Sequence, residues 1–169
     1  MALVSFTQVA PPSPGAVAYA LSRLGLRVFP LRRDTGTPSF ARWTTLATTD
    51  EARIQQWWTG DYALCGVGVA TGPESGMWAL DIDVKDADGF ASLRELTHAH
   101  GQTSAVFTRT MTVRTPSGGA HVYFAWDDAC STEGGIRNST KQLAPGLDVR
   151  GIGGYVRATE VGAYRIVER

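Results

Sequence analysis

Two aspartates one residue apart stand inside an apolar run, Ala79-Leu80-Asp81-Ile82-Asp83-Val84. On a strand, alternate side chains share a face, so both carboxylates project to one side with Cα atoms about 6.5 Å apart, and Leu80, Ile82 and Val84 project to the other. Aspartate is depleted within strands, and two neighbouring anions repel unless a proton or a cation offsets them. Asp148, between Leu147 and Val149, repeats the pattern of an acid among apolar neighbours; taken alone it is equally an ordinary strand acid. Three such carboxylates suffice to hold two hard, oxygen-preferring divalent ions, Mg²⁺ or Mn²⁺. An EF-hand is excluded, because counting from Asp81 the sixth position, where that loop turns sharply on glycine, is Asp86. Asp86 and Asp88 are expected to cap a following helix.

A second constellation is Thr115-Pro116-Ser117-Gly118-Gly119-Ala120-His121. Paired glycines let backbone N–H groups approach an anion, Ser117 can donate a hydrogen bond, and His121 on the next strand can add another to a phosphate oxygen. The plain alternative is a glycine hairpin followed by an ordinary strand histidine. No Gly-x-x-x-x-Gly-Lys-Ser/Thr occurs, which removes a P-loop motor from this chain. His98 and His100 are two apart on a predicted helix and face different directions. Trp57 and Trp58 read as packing residues, and Cys65 and Cys130 as small core fillers.

The elements that must position these groups follow from periodicity and punctuation. Ala16, Val17, Ala20, Leu21 and Leu24 recur at helical spacing up to Gly25, a C-terminal glycine. Residues 27–31 read as a strand and 34–39 as a loop. Thr48-x-x-Glu51 predicts a capping box ahead of a helix carrying Ile54, Trp57 and Trp58 and ending at Gly60. Residues 66–70 and 77–84 read as two strands joined by a turn at 71–76. A helix over about 88–100 turns Phe90, Leu93 and Leu96 inward. Beyond it come strands at 111–115, 120–126, 147–149, 155–157 and 164–167, the first two joined by Pro116-Ser117-Gly118-Gly119. The expected fold is α/β with an α+β second half.

Composition narrows the function classes. The chain has 169 residues, 43% apolar and 19% charged, enough for one domain with a substantial core. Its 16 basic and 16 acidic residues cancel, which argues against gripping a polyanion over the whole surface. The balance is uneven: residues 1–60 carry +3, 61–102 carry −5 and 103–169 carry +2. The longest apolar run, 16–21, falls far short of the roughly 20 residues that span a bilayer. The proline-bearing N-terminus, with no basic residue before Arg23, does not read as a secretory signal, so a cytoplasmic protein without a membrane partner is expected. Two cysteines and no Cys-x-x-Cys give neither a disulfide framework nor a cysteine zinc site, so no zinc is expected.

Taken together, these segments resemble the bifunctional primase-polymerase domain of the archaeo-eukaryotic primase superfamily, found at the N-terminus of phage and plasmid replication proteins. The likeness runs from about Ala16 to Tyr155. Val28-Phe29-Pro30-Leu31, Ala47-Thr48-Thr49-Asp50 with Trp57-Trp58, and the 66–72 segment look like its early blocks. Asp81-Ile82-Asp83 resembles the Asp-x-Asp motif, Ser117-Gly118-Gly119-Ala120-His121 the Ser-x-His-type motif, and Leu147-Asp148 the hydrophobic-Asp motif. The chain departs from the family in having Gly36 and Thr37 before Pro38 where many members carry lysine. Arg157-Ala158-Thr159-Glu160 also stands where many continue with Pro-Pro-Ser.

The resemblance implies two modules, a small N-terminal α/β module and an RRM-like antiparallel catalytic module, within a catalytic domain over 15–169 behind a flexible arm at 1–14. It implies a DNA-dependent nucleotidyltransferase that joins (d)NTPs to a 3′-hydroxyl on a DNA template or primer. Asp81, Asp83 and Asp148 would hold two divalent ions, Ser117, Gly118, Gly119 and His121 the triphosphate, and Arg114 or Arg150 would neutralise phosphate charge. It also implies that the chain is part of a longer replication protein with helical accessory and helicase domains. Two rivals stand beside it: a metal-dependent Asp-x-Asp glycosyltransferase, and a non-catalytic single-strand-binding module. With two divalent ions on the acidic centre, the basic flanks could guide a template.

Overall fold

In the computed structural model, residues 12–103, 110–158 and 165–168 are described, the last four as backbone only. Most of the expected arm, residues 1–11, lies outside them, as does Tyr164. The first helix, α1 (Pro14–Ser22), starts on Ser13, whose side chain accepts from the Ala16 N–H, and has proline in its first turn. Its end is followed by Gly25 at φ +83°, a left-handed position that glycine adopts without penalty. Strand β1 (Val28–Leu31) is buried throughout. A one-turn helix absent from the sequence reading, α2 (Trp43–Leu46), comes next.

Helix α3 (Glu51–Thr59) corrects one expectation. Its N-cap is Asp50, which accepts from the Ala52 and Arg53 N–H groups, while Thr48 turns back to accept from the Asp50 N–H at 3.0 Å. The Asp50 carboxylate reaches the first free donors itself, so the Thr-x-x-Glu box is not used. Ile54 and Trp58 are its buried residues.

The strands that follow are β2 (Gly66–Ala70), β3 (Met77–Ile82), β4 (Thr112–Arg114), β5 (Ala120–Ala125), β6 (Ser139–Ala144), β7 (Leu147–Arg150), β8 (Tyr155–Arg157) and β9 (Arg165–Glu168), with α4 (Gly89–Ala99) between β3 and β4. They form two antiparallel sheets, β1-β2-β8 and β6-β7-β3-β5-β4-β9. The 71–76 segment therefore does not close a hairpin: β2 and β3 belong to different sheets, and the turn carries the chain from one layer to the other. Nor is the small sheet made by the N-terminal half alone, because β8 supplies its third strand.

The large sheet is covered on both faces. Leu80, Ile82, Ala120, Val122 and Leu147 pack with Leu93 of α4 on one side. On the other, Ala79, Val113 and Tyr123 share a core with Val67, Val69 and Val156 of the small sheet and with Ala18, Ile54 and Trp58 of α1 and α3. α4 begins on Asp88, which accepts from the Ala91 N–H; Asp86 does not cap it and instead meets Lys141 Nζ at 3.2 Å. Among the described residues no helix is long and apolar enough to cross a membrane.

Candidate active site

The small sheet covers only part of the inner face of the large one, and the uncovered part opens into a cleft of about 600 Å³. Sheet register decides what stands there. Asp81 on β3 is directly opposite Asp148 on β7 and directly opposite His121 on β5, so the three groups form one row across three adjacent strands. The next row along is Tyr123, Ala79 and Arg150. It leads into the shared core at Ala79 and Tyr123, so the charged row sits where the two layers part.

Within that row every charge is met. Arg150 donates to Asp81 Oδ2 from Nη2 at 2.7 Å and from Nε at 3.2 Å, and Nη2 also lies 2.9 Å from Asp148 Oδ2. His121 Nε2 is 3.4 Å from Asp81 Oδ1, and its Nδ1 is 3.4 Å from the Tyr123 hydroxyl. Burial by itself would raise the Asp81 carboxyl, but His121 and then Arg150 outweigh it and hold the group below the usual carboxylate range. The second oxygen of Asp148 accepts from the Lys141 N–H at 2.9 Å. Lys141 has φ +54°, rare for a residue with a side chain, where the β6–β7 register shifts. That irregularity aims its N–H at Asp148.

The other sequence-predicted residues divide. Asp83 does not lie on the strand with Asp81, because β3 stops at Ile82. It is exposed at the cleft edge, where its Oδ1 accepts from the Lys85 N–H at 2.9 Å. Ser117 also lines the cleft, its hydroxyl 3.0 Å from that of Thr115. Gly118 is at φ +93° and gives its N–H to Thr115 at 3.0 Å within the turn. Gly119 lies against the Ile82 carbonyl where no Cβ would fit, which presses the turn onto the end of β3. Arg114 is paired with Ala120 rather than His121 and so stands on the α4 face. Its guanidinium lies 5.0 Å from the Phe90 ring centre, away from the cleft.

The opposite wall was not read from the sequence. Tyr155 and Arg157 of β8 line it together with Thr35 and Gly36. The Tyr155 hydroxyl donates to the Gly36 carbonyl at 3.2 Å, and the Arg157 guanidinium packs directly on Gly36. The signal was present: Tyr155 and Arg157 flank buried Val156 with the same period of two that marks Asp81 and Asp83.

The donor set suits a hard divalent ion in kind, with one carboxylate oxygen each of Asp81 and Asp148 converging on Arg150 Nη2 and Asp83 at the rim. Among the described residues no three acid, histidine or cysteine groups converge as a metal cage. Mg²⁺ seldom needs one, since it is commonly bound by one or two carboxylates completed by water and substrate phosphates. A family model described as bifunctional DNA primase/polymerase, N-terminal, matches residues 16–168. No curated protein matches the chain.

Proposed function

The chain belongs to the family of bifunctional DNA primase/polymerase N-terminal domains, and from that premise we propose that its cleft carries out template-directed nucleotidyl transfer, with residues 15–169 as the catalytic domain. Membership implies DNA primase/polymerase activity with DNA and nucleotides as substrates. In the proposed reaction a 3′-hydroxyl attacks the α-phosphorus of a bound (d)NTP, the new phosphodiester forms, and the bond to pyrophosphate breaks. The observation that carries this reading is the row of His121, Asp81 and Asp148 across three neighbouring strands: Asp81 and His121 line a cleft sized for a small-molecule ligand, and Asp148 is joined to them through Arg150, which lines it too.

Each residue's part follows from its position. Asp81 and Asp148, with Asp83 at the rim, would hold the divalent ions, Mg²⁺ or Mn²⁺. When bound, such ions supply activation of the attacking hydroxyl and offset the charge gathering on the leaving oxygens. His121 keeps Asp81 ionised and oriented through its Nε2 contact. Ser117 and the Gly118-Gly119 turn lie against the end of β3 beside Asp83, where a triphosphate would lie, and Arg150 is one of the cations lining the same cleft, with Lys85 and Arg157. The strand order β7-β3-β5-β4, with α4 linking β3 to β4, supports the RRM-like reading of this half. A glycosyltransferase reading leaves Asp148 and His121 without a role.

Primer extension with labelled deoxynucleotides tests the proposal, comparing Mg²⁺ with Mn²⁺ and the wild type with Asp81→Ala and Asp83→Ala. Metal-dependent incorporation that disappears in Asp81→Ala while DNA binding persists is expected. A chain that binds single strands in a salt-sensitive way, unaffected by Asp81→Ala and with no incorporation, would instead be a binding module.

A further inference from the structure

Arg150 holds the place where a cation belongs. Asp81 and Asp148 are directly opposite on neighbouring strands, an arrangement that is unfavourable for like charges unless something positive lies between them. The guanidinium of Arg150 does so, with Nη2 shared between Oδ2 of Asp81 and Oδ2 of Asp148 at 2.7 and 2.9 Å. It gets there from the same strand as Asp148, two residues on and therefore on the same face, from a rung whose β3 member is only Ala79. The arginine side chain is 26% exposed, so its outer side borders the cleft that it helps to line.

A guanidinium bridging two carboxylates and a divalent ion bound by the same two oxygens exclude each other, because the two cations would be in contact in a partly desolvated site. A triphosphate changes the balance. It brings several negative charges into the cleft and offers the planar, forked guanidinium a partner as good as the carboxylates. We propose that Arg150 is an exchange latch: it neutralises the Asp81–Asp148 pair while the cleft is empty and transfers to the incoming triphosphate, freeing both carboxylates for the metal that arrives with it. Metal and nucleotide then bind cooperatively, and free divalent ion alone is held off. The inference rests on the reading of Asp81 and Asp148 as the metal-holding acids.

The test is equilibrium Mn²⁺ binding, read from the electron paramagnetic resonance signal of free Mn²⁺, with and without a non-hydrolysable deoxynucleoside triphosphate. The proteins are wild type, Arg150→Gln, Arg150→Lys and Asp81→Asn, each checked for native circular dichroism. In the wild type the nucleotide should tighten Mn²⁺ binding by about tenfold or more, within the usual range for coupled sites. Arg150→Gln should bind Mn²⁺ alone about tenfold more tightly than the wild type and lose most of that coupling. Arg150→Lys, which keeps the charge without the fork, should lie between. Unchanged or weaker Mn²⁺ binding by Arg150→Gln with the coupling intact overturns the latch. Mn²⁺ binding that Asp81→Asn leaves unaltered overturns the reading of the site itself, so the two failures are distinguishable.

Discussion

The two faces of the large sheet are built from the same strands and do opposite work. On β3, Leu80 and Ile82 point to α4 and are almost fully buried, while Asp81 between them points to the cleft and meets a histidine, an arginine and, across the strand gap, a second acid. Strand geometry imposes this division: one face is core along the strand, and the other leaves the core shared with the small sheet at Ala79 and meets the cleft at Asp81. Stability and chemistry should therefore separate residue by residue along six positions of chain.

The largest effect expected is on the cleft face. Metal-assisted charge stabilisation is worth several kcal/mol, so Asp81→Asn should lower metal-dependent incorporation about a thousandfold, equivalent to ~4 kcal/mol, with a thermal midpoint only a little below that of the wild type. Single-turnover extension alongside thermal melts measures both. Comparable losses in stability and activity would break the comparison, because the acid would then belong to the core. Its neighbour should behave in the opposite way. Ile82→Ala empties a site 2% exposed and should cost about 3 kcal/mol of stability, with activity per folded molecule within a few fold of the wild type. Denaturant titration and active-site-normalised rates decide it.

Much of this division is legible in the sequence, because a period of two is a local property. The alternation Leu80-Asp81-Ile82, the buried strand at 66–70 and the helix starting on Asp88 all follow from neighbouring residues, whereas the end of β3 before Asp83 does not. What is not legible depends on pairing. Arg114 and Arg150 are both strand arginines near predicted site residues, yet Arg114 falls opposite Ala120 and Arg150 two residues from Asp148. Only the register sends the first to the α4 face and the second to the cleft. The turn at 71–76 is legible but not the sheets it joins, because β2 pairs with β1 before it and with β8 more than eighty residues later. β6 is missed because Ser139–Ala144 is mostly exposed and polar, as edge strands often are.

Gly119 is where the two faces meet, and a smaller effect is expected there. A Cβ at this position would run into the Ile82 carbonyl, with Thr115 Oγ1 3.1 Å away. The obstacle is backbone, which cannot rotate aside, so Gly119→Ala should cost about 2 kcal/mol, as overpacking does, and push the Ser117 turn away from the cleft. Chemical denaturation and the nucleotide KM should both respond. A change in KM alone would mean that Gly119 serves the ligand rather than the join between turn and strand.

The smallest effect separates the charged row from the core by pH. The Asp81 carboxyl is held below the usual range because His121 and Arg150 outweigh its burial, whereas in the unfolded chain it titrates near 3.9. A carboxyl whose folded pKa is depressed adds stability that is fully present above the unfolded value and is lost as pH falls through the folded one. For metal-stripped protein, the contribution of Asp81 should therefore be present in full at about pH 5 and decline below about pH 4. Asp81→Asn lacks that titration and Ile82→Ala keeps it. The gap in unfolding free energy between wild type and Asp81→Asn should narrow in acid, whereas the gap between wild type and Ile82→Ala should hold. Denaturant midpoints from pH 7 to pH 2.5 provide the measurement. A wild-type to Asp81→Asn gap that does not move would show that the histidine and arginine contacts do not hold the carboxylate ionised, and the row would lose its electrostatic distinction from the face behind it.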